Sequence, residues 1–181
     1  MNYLVISDIH GSLNYTNFIL EKLNTNQFEH IIILGDQLYH GPRNPLPKEY
    51  SPLKVAEILQ KFRDKITAIR GNCDSEVDEM VLGYSIMETT KEIEVEGLTI
   101  ILNHGHHKIA QDMTDFNKKY LVLSGHTHVP TAHNTGNIYY CNPGSISLPK
   151  ENYPNSYGIL TNKSFRVLDL ITDEEIMKIE F

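Results

Sequence analysis

The sequence predicts an α/β fold in which two mixed sheets pack together with helices outside. Three observations carry this reading. Five short runs rich in Ile, Val and Leu are each closed by Gly or a polar turn, which is the pattern of buried strands. In the first half such runs alternate with segments of helical spacing, as βαβ units do. The second half is dense in strand patterns instead, which calls for a second sheet against the first.

Taken in order, residues 3–7 form the first strand. Leu13–Leu23 follows with Phe18, Ile19 and Leu23 at helical spacing. Strand 30–34 leads into a loop holding Gly41, Pro42, Pro45 and Pro47. Ser51-Pro52 reads as an N-cap followed by proline at the first helical position, with helix to about Phe62. Strand 65–70 comes next, and Asp74 is the expected cap of a short helix through Leu82. Lys91–Glu96 alternates charged and apolar residues, with Ile93 and Val95 inward. Gly97 turns the chain back into Leu98–Asn103, a hairpin signal. Strands are expected at 121–124, 138–141, 157–160, 165–170 and 175–181.

At 181 residues and 20.7 kDa, the chain fits a single domain over 1–181 with a proper core. A net charge of −7 gives no basic stripe for general nucleic-acid binding, yet it does not exclude a phosphate substrate where bound metals set the local field. No apolar stretch approaches the ~20 residues of a membrane span, and the N-terminus lacks a signal-peptide pattern. The cytoplasm is the expected location. Two cysteines, Cys73 and Cys141, make no disulfide framework.

Each of the five apolar runs ends on residues able to bind a metal. Tyr3–Ser7 leads to Asp8 and His10, Ile31–Gly35 to Asp36, and Ile66–Gly71 to Asn72. Leu98–Asn103 leads to His104, and Leu121–Gly125 to His126 and His128. Ligands at the carboxyl ends of strands converge on one sheet edge. If the strands continue that far, Asp8 and His10 face one side together, as do His126 and His128, because i and i+2 share a face. Seven nitrogen and oxygen ligands suffice for two divalent ions sharing one carboxylate. Imidazole with carboxylate and amide oxygen suits Mn, Fe or Zn better than Ca or Mg.

Asp8-x-His10, Gly35-Asp36, Gly71-Asn72, His104 and Gly125-His126-x-His128 resemble the signature of the calcineurin-like metallophosphoesterases, over residues 1 to about 150. Ser7–Ser12, His40–Asn44, Arg70–Asp78 and Asn142–Ser145 look like the small bacterial YfcE-type phosphodiesterases within that family. The resemblance implies a four-layer α/β/β/α sandwich and two divalent ions, with Mn2+ expected and Fe, Zn or Ni as alternatives. Asp8, His10, Asp36 and His128 would hold one ion. Asp36, Asn72, His104 and His126 would hold the other, with Asp36 bridging. It implies hydrolysis of a small phosphodiester by in-line attack of a hydroxide bridging the ions, with Asp36, Asn72 and His126 catalytic, and assembly as a homo-oligomer. Cys73 stands where most of the family has histidine, as the YfcE-type match expects. Such a thiol favours good leaving groups, and the simplest reading of Cys73 is a small buried filler. His40, Arg43 and Cys73 are the substrate-binding candidates. The alternatives are a phosphomonoesterase or nuclease of the same fold, or a non-catalytic protein-binding scaffold. The retromer scaffold subunit also resembles this family but has altered metal positions.

Overall fold

A computed structural model describes residues 2–24, 28–109 and 113–181. The apolar runs become strands whose alternate side chains face opposite ways. In β1 (Asn2–Ile6) and β2 (His30–Ile33), Leu4, Ile6, Ile31 and Ile33 face a core shared with helices. Val5 and Ile32 face the second sheet. Burial on both faces makes these runs continuously apolar rather than alternating. β3 (Ile66–Ala68) adds a third parallel strand, with Ile32 opposite Thr67.

The second sheet comprises β4 (Thr90–Val95), β5 (Leu98–Asn103), β6 (Lys119–Leu123), β7 (Thr131–Thr135) and β8 (Ile138–Asn142), in the order β4-β5-β6-β8-β7. β9 (Ser156–Thr161), β10 (Ser164–Asp169) and β11 (Glu175–Glu180) return to the first sheet, whose order is β11-β10-β9-β1-β2-β3. Both sheets mix parallel and antiparallel pairs. Val5, Ile32, Ile100, Leu121, Phe165 and Val167 meet between them. Phe165 fills the space beside Gly158, where a Cβ would lie 2.6 Å from its ring.

Helices α1 (Leu13–Asn24), α2 (Pro52–Leu59) and α3 (Glu76–Leu82) cover the outer face of the six-stranded sheet through Ile19, Val55, Leu59 and Leu82. On the outer face of the five-stranded sheet, Ile101, Tyr120 and Val122 are covered by Ile109 and Met113. The segment 107–119 lies partly outside the described residues, as does the side chain of Leu23.

Two local expectations are corrected, and one strand is unexpected. The α2 helix stops at Leu59 and tightens into a 3-10 turn over Gln60–Lys65. Asp74 does not cap α3: Ser75 is the N-cap, in a reciprocal capping box with Asp78. β7 follows no apolar period, and its residues are half-buried or exposed. It is held by antiparallel pairing with β8, Ala132 lying opposite Cys141.

Candidate metal centre

β1 ends at Ile6, before Asp8, so the strand does not deliver Asp8 and His10 by two-residue alternation. The backbone turns through the left-handed region at Asp8 (φ 54°), His10 (φ 49°) and Asp36 (φ 54°), then again at His126 (φ 67°) and His128 (φ 60°). Such angles are uncommon outside glycine and must be held by their surroundings. Here the loops hold one another. Asp8 N donates to Gly35 O at 3.2 Å, His10 N to Asp36 O at 2.9 Å and Gly125 N to His104 O at 3.0 Å. Ser145 Oγ and Ser147 Oγ each donate to Asp8 O at 2.8 Å, and Asn142 Nδ2 to Gly125 O at 2.8 Å.

Close approach explains two glycines. A Cβ on Gly71 would lie 2.1 Å from Asp36 Oδ1 and 2.3 Å from Asp36 N, and one on Gly125 would lie 1.9 Å from Ser7 Oγ.

Three buried histidines are oriented alike. The Nδ1 of His10 lies 2.8 Å from Tyr39 O, that of His104 2.6 Å from Leu34 O, and that of His128 2.5 Å from Leu148 O. A carbonyl only accepts, so each Nδ1 carries a proton, and the ligating, neutral form of each ring turns its Nε2 lone pair inward. Those Nε2 atoms meet other acceptors. His10 Nε2 is 3.3 Å from His128 Nε2, His128 Nε2 is 3.3 Å from Asp8 Oδ1, and His104 Nε2 is 3.1 Å from Asn72 Oδ1 and 3.5 Å from Asp36 Oδ2. Asp8 Oδ2 accepts from Ser7 Oγ and His126 N, while the buried Asp8 Oδ1 has no hydrogen-bond partner. Lone pairs converging on one buried spot call for cations between them. The residues present therefore fit divalent metal ions.

Among the described residues, Asp8, His10 and His128 form one group of ligating atoms within 4.8 Å of one another; Asp8, Asp36 and His104 form another, and His10, Asp36 and Cys73 a third. Asn72 joins through His104. His126 joins through its backbone bond to Asp8 and a ring set edge-on to His104 at 5.1 Å. All seven expected ligands are thus brought to one place.

The charges are strongly coupled. Burial would raise the Asp36 carboxyl, but the hydrogen bond and charge of His104 hold it down at about 2. Burial would likewise lower His104, but Asp36 and Asp8 lift it to about 9. At His106 burial, reinforced by His104, His107 and His126, pushes the ring down to about 4.

A cleft of about 840 Å3 opens over the centre, lined by Asp36, Asn72, His126 and His128, with Arg43 and Lys150 supplying positive charge. Of the three substrate-binding candidates, Arg43 and Cys73 border this cleft. His40 instead packs edge-on against Tyr39 at 4.9 Å and Tyr50 at 5.1 Å. Cys73 is half-buried rather than a buried filler. Its Sγ accepts from Asn72 Nδ2 at 3.2 Å, and burial with nearby Asp36 pushes the thiol up to about 12, which keeps it a neutral thiol.

Sequence reasoning missed Lys150, which had no motif around it, and Asp74. Asp74 is buried and accepts from Asp36 N, Gln37 N and Gly71 N, each at 2.8 Å. It ties the loop bearing Asp36 to the loop bearing Asn72.

The family model described as the calcineurin-like phosphoesterase superfamily domain matches residues 1–164. "Phosphodiesterase YfcE" of Escherichia coli K12 is 42% identical over 177 residues, covering 98% of this chain and 96% of that protein. A solved structure of the E. coli phosphoesterase YfcE superposes with a TM-score of 0.91 at 40% identity, over 99% of this chain and 98% of the other. A zinc complex of Vps29 from Entamoeba histolytica shares the fold alone, with a TM-score of 0.66, 19% identity and 99% coverage of both chains. With its candidate ligand loops at the carboxyl ends of two packed sheets and a family match over most of its length, the chain belongs to the calcineurin-like phosphoesterase superfamily.

Proposed function

We propose that the chain, as a single catalytic domain over 1–181, is a metal-dependent phosphodiesterase acting on small phosphodiesters. The observation that carries this reading is the inward convergence of three Nε2 atoms, each ring held by its Nδ1–H on a backbone carbonyl, with the unpartnered Asp8 Oδ1. Asp8, His10, Asp36 and His128 would hold one ion. Asp36, Asn72, His104 and His126 would hold the second, with Asp36 shared. Bound there, two divalent ions, Mn2+ foremost, would supply the hydroxide for in-line attack on phosphorus and neutralise charge developing on the phosphoryl oxygens. The chain's own residues do the rest. Tyr39, Leu34 and Leu148 carbonyls fix the imidazoles in the ligating tautomer. Asp74 sets the spacing of the Asp36 and Asn72 loops. Arg43 and Lys150, on the cleft wall, attract the anionic diester. Cys73 N holds Asp36 Oδ1 at 2.8 Å, directing the other oxygen toward His10 and His104.

The test is hydrolysis of bis(p-nitrophenyl) phosphate against p-nitrophenyl phosphate by metal-stripped protein, with and without Mn2+. Diester turnover that needs Mn2+ and far exceeds monoester turnover supports the reading. Absence of turnover of either ester with Mn2+, Fe2+, Zn2+ or Ni2+ overturns it.

A further inference from the structure

A second hollow, of about 290 Å3, opens beside the metal cleft and shares Tyr39, Cys73 and Ser75 with it. Most of its wall is apolar, from Leu38, Tyr39, Tyr50, Pro52 and Val77, with Cys73, Ser75 and Asp78 completing it. Asp78, the acid among its lining residues, has one oxygen engaged by the Ser75 N–H and hydroxyl at 2.8 and 2.7 Å. Two of these apolar side chains face solvent, Tyr39 at 43% and Val77 at 66% exposure. Apolar surface held open beside a reaction centre is where a substrate's apolar portion gains most from burial.

The wall is fixed to the centre. Tyr39 accepts the His10 Nδ1–H on its carbonyl and borders both hollows. His40 sets its ring edge-on against both Tyr39 and Tyr50. Tyr50 in turn packs over Gly11, where a Cβ would come within 2.7 Å of its ring. His40 is thereby a positioning residue for the two tyrosines.

We infer that this hollow is an aryl subsite, so that the enzyme selects phosphodiesters bearing a flat aromatic ester group seated between Tyr39, Tyr50, Pro52 and Val77. The inference rests on the phosphodiesterase reading and names its substrate class. The volume suffices, since an apolar cavity of about 150 Å3 already accepts benzene. Phosphate oxygens at the metal centre and an aromatic ring in the hollow place Cys73 at their boundary.

Two diesters with one leaving group separate the subsite from the chemistry. Phenyl p-nitrophenyl phosphate and methyl p-nitrophenyl phosphate both release p-nitrophenolate, so their ratio of kcat/KM reads the retained group. With the Mn2+-loaded protein the phenyl ester is expected to be favoured by about 10- to 100-fold. Tyr39→Ser, which keeps the carbonyl that holds His10, and Val77→Ser, at an exposed site, should each bring the ratio towards one. Because the readout is a ratio, loss of folded or metal-loaded protein cancels. Independently of turnover, diphenyl phosphate should shift the Val77 methyl resonances while dimethyl phosphate leaves them in place. A ratio near one in the parent protein overturns the aryl subsite but leaves the phosphodiesterase reading standing. Turnover of neither diester overturns both. A preference unmoved by either substitution, with Val77→Ser changing the oligomeric mass instead, overturns the subsite in favour of a subunit interface.

Discussion

Removing the Asp74 carboxylate tests whether this residue is a strut between ligand loops or an ordinary helix cap. Asp74 is buried and accepts three backbone N–H groups, from Asp36, Gln37 and Gly71. A hydrogen bond to a charged group contributes roughly 1.5–3 kcal/mol, so three amount to roughly 5–9 kcal/mol if the donors are left bare. Two effects reduce this. Asp74 borders the cleft, so water can reach donors exposed by truncation. Burial also pushes its carboxyl up to about 6, against the lowering pull of its three donors, so the anion is partly disfavoured where it sits. The expected cost of Asp74→Ala is therefore about 3–5 kcal/mol, a large share of the ~5–15 kcal/mol of a typical domain. A helix cap would cost only about 1 kcal/mol. Urea unfolding of metal-stripped Asp74→Ala and Asp78→Ala proteins makes the comparison. Asp78→Ala, which opens the actual capping box, should lie near 1 kcal/mol. Asp74→Asn, which keeps one acceptor oxygen, should fall between the two. A loss of 1 kcal/mol or less in Asp74→Ala, with unchanged Mn2+ content, would refute the strut.

Gly71→Ala should lower bound metal below two ions per chain by elemental analysis, because the new Cβ must displace Asp36 from a 2.1 Å approach; full occupancy would contradict the packing. Asp36→Asn should reduce diester turnover by more than about 100-fold and loosen both ions, since in the proposed assignment one carboxylate serves both sets; near-parent activity would sink the assignment. Metal uptake should tighten as pH rises from 7 to 9. His104 is lifted to about 9 in the metal-free protein despite the opposing effect of burial, so below that pH an incoming ion displaces its proton. Titration calorimetry in buffers of different ionisation enthalpy should show this proton release, and an affinity flat across that range counts against His104 as a ligand.

The parts of the site that could be read from the sequence are those fixed by burial. β1, β2, β5 and β6 are apolar because both faces are covered, and each stops just before a candidate ligand, so strand ends and candidate ligands appear together in the residue order. How the ligands meet could not be read that way. Two-residue alternation brings Asp8 and His10 to one side only if the strand runs on, whereas the chain turns through positive φ and is held there by Gly35, Asp36 and Gln37 from the neighbouring loop. The same limit applies to Asp74. Next to a helix start its local signal is that of a cap, and only the fold shows that its oxygens reach residues 37 and 38 positions away in sequence. β7 escaped notice for the opposite reason: Thr131–Thr135 packs little, and its place is set by backbone pairing that no side-chain period records.

His40 shows how chemistry and position separate. As a histidine in the loop after Asp36 it qualifies for substrate contact by residue type, but its ring is taken up by Tyr39 and Tyr50. What the residue contributes is order in the wall beside the centre. Tyr39 belongs to that wall and, through its carbonyl, to the orientation of His10. A substitution that releases the Tyr39 backbone should therefore disturb ligation and substrate choice together, whereas one that alters only its ring should disturb substrate choice alone. That separation follows from one residue presenting its carbonyl to His10 and bordering the proposed subsite beside it.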